Sequence, residues 1–164
     1  MEKLNFPAYD FKLKKNNNKT YIFDEIRMKW IFLTPEEWVR QNFIMYIKSK
    51  GYPLSLMNLE KAFSVHGVKK RYDIIVFNQI GKVNILVECK SFKQKINNNH
   101  FDQIMRYNIE LKSTYLAVSN GINHYFLKFN LDNKKHEFIQ DLTLDSIHYL
   151  TSWTKKYMKE KFND

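Results

Sequence analysis

Two apolar runs, Ile74-Ile75-Val76-Phe77 and Ile85-Leu86-Val87, flank Asn78-Gln79-Ile80-Gly81-Lys82, and this arrangement constrains the fold of the chain more than any other. Runs rich in β-branched residues around a short polar, glycine-containing segment predict two antiparallel strands, Arg71 to Phe77 and Ile85 to Lys90, joined by a tight turn. Asp73 and Glu88 are equidistant from a turn centred between Ile80 and Gly81, so folding there sets their side chains side by side across the ladder. Period-two geometry puts Lys90 on the face of Glu88 and turns Cys89 to the other face, as a packed thiol rather than a nucleophile. Like charges opposed across a sheet are unfavourable unless a cation lies between them, which suggests a divalent-metal site with an ammonium beside it. A solvated hairpin end is the plain alternative. Against it, Glu88 and Lys90 interrupt an apolar segment, where a half-buried polar group is costly without a partner.

Helix signals stand on both sides of this hairpin. Thr34-Pro35-Glu36-Glu37 offers an N-cap, proline at the first helical position and acids in the first turn, predicting a helix over 35–50 that stops at Gly51. Glu36 and Glu37 are accounted for by a capping box and the helix dipole alone. After Asn97-Asn98-Asn99 a second helix carries Gln103 and Tyr107, four residues apart and therefore on one face.

In order along the chain, Thr34 to Gln41, Arg71 to Phe77, Ile85 to Ser91, Asp102 to Asn108 and Ala117 to Gly121 resemble the N-terminal nuclease domain of type I restriction enzyme R subunits. More narrowly they resemble small stand-alone proteins carrying that domain alone. Asp73 matches the strand acid of the PD-(D/E)XK superfamily, Glu88-Cys89-Lys90 its E-x-K, and Gln103-x-x-x-Tyr107 the mark of its RecB-like branch. The resemblance covers roughly Thr34 to Gly121, and the ordered series is more specific than any single motif.

The resemblance implies an α/β, restriction-endonuclease-like sandwich with a mixed central sheet flanked by the Glu37 and Gln103 helices. It also implies metal-dependent hydrolysis of phosphodiester bonds, with Asp73, Glu88, Lys90, Glu37 and Gln103 as the catalytic set. Mg2+ (or Mn2+) would be held by Asp73, Glu88, the backbone carbonyl of Cys89 and Glu37, with Glu36 the substitute if the helix is rotated. Lys90 would orient the attacking water, Gln103 would fix the Lys90 end of the site, and Tyr107 would contact the phosphate backbone. Glu60 is a lesser candidate for an outer position. DNA is the implied substrate, in restriction, defence or repair, and RNA shares the same metal and phosphate chemistry. The alternative is a non-catalytic nucleic-acid-binding module that recruits a restriction or repair assembly.

Charge agrees with a polyanionic partner: 27 basic against 17 acidic residues give a net +10. Most of the basic residues are lysines in an Asn- and Ile-rich sequence, a composition that an AT-rich genome imposes without selection for binding. The arginines, Arg27, Arg40, Arg71 and Arg106, are more telling. Arg71 and Arg106 are candidate phosphate ligands, with Lys69 and Lys70 adding a basic cluster. The G-x-x-x-x-G-K-[ST] phosphate loop does not occur in these 164 residues, so a nuclease would work without its own motor, alone, as a homodimer or with a partner subunit.

Length and 44% hydrophobic content agree with a single domain over 1–164, which the resemblance implies is nuclease-like, with a β-rich extension at 1–33, a nuclease core at 34–130 and a helical segment at 131–164. In the extension, Phe11 to Lys15 and Tyr21 to Phe23 form a hairpin around Asn16-Asn17-Asn18, with Met28 to Leu33 a third strand. Further strands are expected at Leu59 to Val65, Thr114 to Ser119 and Tyr125 to Phe129, and an amphipathic helix over Thr143 to Lys161. One cysteine fits a reducing cytoplasm. The histidines lack zinc-ligand spacing, and no apolar run is long enough to span a bilayer.

Overall fold

Asn17 and Asn18, both in the left-handed region at φ 46° and 59°, turn the first two strands back on each other, the conformation a two-residue hairpin requires and asparagine tolerates. In the computed structural model, which describes residues 2–60, 62–65, 68–130 and 132–142 (backbone only for 62–65 and 68–70), this hairpin joins β1 (Leu13–Asn16) to β2 (Lys19–Asp24). Strand β3 (Lys29–Phe32) pairs on the far side of β2, completing a three-stranded antiparallel meander.

Helix α1 (Pro35–Ser49) begins where the sequence signals place it: Thr34 accepts a hydrogen bond from the Glu37 N–H at 3.0 Å, and proline follows. The capping box is half made. Thr34 N–H donates to the Phe32 carbonyl, and the Glu37 carboxylate is drawn away to arginines. Gly51, at φ 94°, ends the helix by donating to the Lys48 carbonyl.

A single 3₁₀ turn at Leu54–Leu56 leads into β4 (Met57–Leu59), followed by β5 (Ala62–Val65), β6 (Val68–Arg71) and β7 (Ile74–Phe77). The expected single strand from Leu59 to Val65 is thus two strands, and Arg71 to Phe77 is interrupted at Tyr72-Asp73. The cause is local. Glu60 takes a left-handed conformation (φ 48°) and its N–H bonds the Asp73 carbonyl at 3.2 Å. The offset is unchanged across the break, Leu59 opposing Ile74 and Ala62 opposing Arg71, so one long hairpin is kinked opposite Asp73 and divided between two sheets.

Strand β8 (Val83–Cys89) pairs with β7 in the register expected from the sequence, Ile74 opposite Val87 and Ile75 opposite Leu86. A bulge between Val76 and Phe77 shifts the ladder near the turn only. Helix α2 (Asn98–Leu111) then crosses to β9 (Tyr115–Ser119), which runs parallel to β8. Its N-terminus is a reciprocal cap: Asn97 accepts from Asn99 N–H, and His100 Nδ1 accepts from Asn97 N–H. The six-stranded mixed sheet is completed by β10 (His124–Asn130) and β11 (Lys135–Ile139), in the order β11-β10-β9-β8-β7-β4.

Strand β11 corrects the expectation that 131–164 is helical from its start. Lys134, at φ 57°, turns the chain so that Lys135–Ile139 pairs along β10 and protects its edge. The expected helix over Thr143 to Lys161 lies outside the described residues.

Alternation sorts the central strands onto two cores. Ile74, Val76, Ile85, Val87 and Cys89 face α1 and pack with Val39, Phe43 and Ile47, while Ile75, Leu86, Leu116 and Val118 face α2 and pack with Ile104 and Tyr107. Phe43 is fully buried, so its truncation to alanine costs about 3–5 kcal/mol. The result is an α/β sandwich with the mixed sheet between two helices. Among the described residues no helix is long and apolar enough to cross a membrane.

Candidate active site

The kink beside Glu60 leaves Asp73 just outside β7, next to the end of β8. Asp73 Oδ2 accepts from Cys89 N–H at 2.7 Å, and Oδ1 accepts from Arg40 Nη2 of α1 at 3.0 Å. Glu88, on the neighbouring strand, is buried with 3% exposure, and its Oε1 accepts two bonds of 2.6 Å, from Lys90 Nζ and from Gln103 Nε2 of α2. Gln103 also donates to Tyr107 Oη at 3.3 Å, the i, i+4 contact that fixes its amide. The hairpin thus supplies Asp73, Glu88 and Lys90, one helix supplies Arg40, and the other supplies Gln103 and Tyr107.

The electrostatics follow from burial. Desolvation first, and then the Asp73 charge, push the Glu88 carboxyl up to about 7, although the Lys90 ammonium pulls the other way. Burial works against the Lys90 charge, but the hydrogen bond and charge of Glu88 more than offset it, so Lys90 is held protonated more firmly than a free lysine. Only 18% of the Lys90 side chain is accessible, unlike that of a solvated hairpin end. Glu36 is raised by burial and by Asp73, which places it within the field of the strand acid and of Lys90. The Cys89 thiol, fully buried, is pushed well up by burial and stays a packing group.

Glu37 sits differently. Its carboxylate is 5% exposed and is shared by Arg27 Nη2 (2.5 Å), Arg40 Nη1 (2.5 Å) and Gln41 Nε2 (2.9 Å). Arg27 is in turn held by Asp24 (2.7 Å) and pairs with Glu60, while Arg40 spans Glu36 (3.3 Å), Glu37, Glu60 (3.5 Å) and Asp73. The acids Asp24, Glu37, Glu60 and Asp73 are thereby threaded on two guanidiniums. Arg40 Nε is the buried side-chain polar atom left without a hydrogen-bond partner among the described residues. Of the two first-turn acids, Glu37 belongs to this inner network and Glu36 to the Asp73–Lys90 side.

The other expected residues come from β6 and α2. Arg71 is 64% exposed and meets Glu60 at 3.4 Å, and Arg106 is exposed on α2, three residues beyond Gln103. Lys69 and Lys70 lie on β6, opposite Ser64 and Phe63. Asp24, Arg27 and Gln41 were not singled out from the sequence, although Arg27 carried one signal, an arginine in a chain that otherwise uses lysine.

The donor set can be tested for a hard divalent cation. Among the described residues no three His, Cys, Asp or Glu side chains form a ready-made metal cluster. Mg2+ does not require one, since it is commonly held by one or two carboxylates with water and substrate phosphate. A carboxyl whose ionisation is opposed first by burial and then by a second carboxylate beside it is the chemistry a cation relieves, and Glu88 with Asp73 fits it.

Residues 35–142 match the model of a family described as the type I restriction enzyme R protein N terminus (HSDR_N). The chain belongs to this family. The match starts at Pro35, so the meander β1–β3 precedes it, and it takes in the whole sheet from β4 to β11. A fragment of a putative HsdR subunit of a type I restriction enzyme from Vibrio vulnificus YJ016 is similar in structure, with a TM-score of 0.51 and 16% identity. The alignment covers 76% of this chain and 26% of that one, and it supports the restriction-endonuclease-like fold. No curated protein matches the chain.

Proposed function

We propose that this member of the type I restriction R N-terminal family is a metal-dependent nuclease domain of the PD-(D/E)XK, RecB-like type, hydrolysing phosphodiester bonds of DNA. The observation that carries the reading is the bonding of Glu88: a buried carboxylate beside Asp73 whose Oε1 is held by both Lys90 and Gln103. Lys90 and Gln103 both donate to this one oxygen, from the strand and from α2.

In this reading Asp73, Glu88 and the Cys89 carbonyl hold Mg2+ or Mn2+, with Glu36 rather than Glu37 as the acid from α1. Bound there, the cation supplies an acidified water and offsets charge on the scissile phosphate. The remaining work falls to the chain. Lys90, kept protonated by Glu88, acts as a donor to the attacking water and to the phosphate oxygens rather than as a base. Gln103 anchors Glu88 so that its carboxylate keeps one orientation, and Tyr107 steadies Gln103. Arg40 orients Asp73 from the helix side. Arg71, Arg106, Lys69 and Lys70 contribute to the phosphate backbone contacts, for which the net charge of +10 is suited.

The recruitment-module reading is favoured by one observation: both Asp73 oxygens already accept hydrogen bonds from protein donors. Incubating the purified chain with plasmid, single-stranded DNA and RNA in Mg2+, Mn2+ or EDTA decides between them. Metal-dependent cleavage of DNA supports the nuclease. Salt-sensitive binding with no cleavage of any nucleic acid supports the module.

A further inference from the structure

Strand alternation gives the meander β1–β3 two unlike faces. One carries Ile22 and Asp24, both fully buried, and turns toward α1, where Asp24 Oδ2 accepts from Gln41 Nε2 at 2.7 Å. The other carries two cross-strand rows, Lys14-Tyr21-Phe32 and Lys12-Phe23-Trp30. The rings pair edge to face, Tyr21 with Phe32 at 5.9 Å and Phe23 with Trp30 at 5.4 Å. Lysines lie over them: Lys14 Nζ is 4.4 Å from the Trp30 ring, Lys12 Nζ 5.6 Å from Phe23 and Lys19 Nζ 5.8 Å from Phe32.

None of these rings belongs to either core, and Trp30 and Phe32 remain 37% and 48% exposed. Cross-strand aromatic pairs strengthen a small sheet only modestly, and they do so equally well on a buried face. A contiguous solvent-facing set of rings bordered by ammonium groups, with no acid in either row, matches instead the two needs of unpaired nucleic acid: π-faces for bases and cations for phosphates.

We propose that this face of the meander is a stacking platform for single-stranded nucleic acid, with Trp30 and Phe32 as the base-stacking rings and Lys12, Lys14 and Lys19 as the phosphate contacts. A duplex does not satisfy it, because paired bases hide the faces that the rings would cover. The platform is separate from the Asp73–Glu88 site and does not depend on cleavage.

The test is binding of a fluorescein-labelled oligothymidylate of about 15 nucleotides to the full chain in EDTA, followed by anisotropy across a salt series, with a hairpin duplex as the comparison. Trp30→Leu/Phe32→Leu keeps apolar bulk on the strand and should weaken single-strand binding by about tenfold or more while leaving duplex binding nearly unchanged. Lys12→Gln/Lys14→Gln leaves the rings and the buried face alone, and should weaken binding and flatten its salt dependence. Thermal melts establish that both variants fold, and the lysine pair still decides the matter if the ring pair does not. The platform is refuted if the wild-type chain fails to bind the oligomer. It is equally refuted if folded ring variants bind like wild type, or if single-strand and duplex binding fall together. All readouts are metal-free, so the result stands whether or not the chain cleaves DNA.

Discussion

Arg40 places Nη2 3.0 Å from Asp73 Oδ1 and Nη1 2.5 Å from Glu37 Oε2, so one buried guanidinium ties the inner acid of α1 to the acid at the end of β7. It does so at 4% side-chain exposure, where desolvating a charge is costly and only the surrounding carboxylates compensate. Arg40→Met should therefore destabilise the chain by about 3–5 kcal/mol in urea denaturation, because buried Glu37 and half-buried Asp73 lose their shared partner. Adding Glu37→Gln should restore part of that loss. Full additivity of the two changes would mean that the residues do not act as a pair.

Lys90→Ala should abolish metal-dependent cleavage with little loss of stability at or below neutral pH. Without the ammonium, Glu88 simply keeps its proton, so no bare charge is buried, whereas the developing phosphate charge loses its donor. Asp73→Asn should also remove cleavage, through the metal. Cleavage assays beside thermal melts check both, and salt-sensitive DNA binding should survive each change.

Gln103→Ala should lower activity or metal affinity about 10- to 100-fold, the usual effect of removing a group that orients a ligand. Tyr107→Phe should do less, since Gln103 keeps its 2.6 Å bond to Glu88. The midpoint of a Mg2+ titration is the sensitive readout: a shift there with unchanged melting behaviour identifies an orienting role.

Stability of the metal-free protein should fall as pH rises from the ordinary carboxyl range to neutrality. Glu88 titrates near 4.5 when unfolded and near 7 when folded, so between those values the folded chain holds a proton that the unfolded chain releases. The stabilisation present below pH 4.5 is lost progressively up to about pH 7 and is constant above it. Comparing wild type with Glu88→Gln by chemical denaturation across this window isolates the effect, because the variant lacks the slope.

Gly121→Ala should destabilise the fold by about 1–3 kcal/mol, from a left-handed backbone and a close approach together. Gly121 has φ 83°, and an added Cβ would come within 2.9 Å of Leu4 and 3.0 Å of Val39. The same glycine accepts a bond from Asn5 N–H at 2.7 Å, so proteolysis near the N-terminus should accelerate in the variant.

What the sequence made legible was local or periodic. The Ile74–Val87 register follows from two β-branched runs and the distance of each acid from the turn, and α1 from Thr34-Pro35 and Gly51. The mark of Gln103 and Tyr107 was their spacing of four. The kink at Glu60 carried no such mark, since a glutamate at positive φ has no sequence signature. Nor did the placement of Glu37 inside a pair of guanidiniums: Arg27 and Arg40 come from different elements, and ion pairs between distant segments leave no period to read. Strand β11 was hidden because Lys-His-Glu-Phe-Ile has no clean alternation and is recruited by pairing with β10.

The turn from Asn78 to Lys82 closes on itself, with Asn78 Oδ1 accepting from Ile80 and Lys82 N–H, Ile80 75% exposed and open space around Gly81. It lies at the opposite end of the hairpin from Asp73 and Glu88, and the bulge beside it takes up a change in spacing before the ladder reaches them. That makes it an attachment point: a dye, an affinity tag or a programmable DNA-targeting module inserted at Ile80-Gly81 would be carried by the hairpin without shifting the acids, which gives a route to steering whatever chemistry they perform.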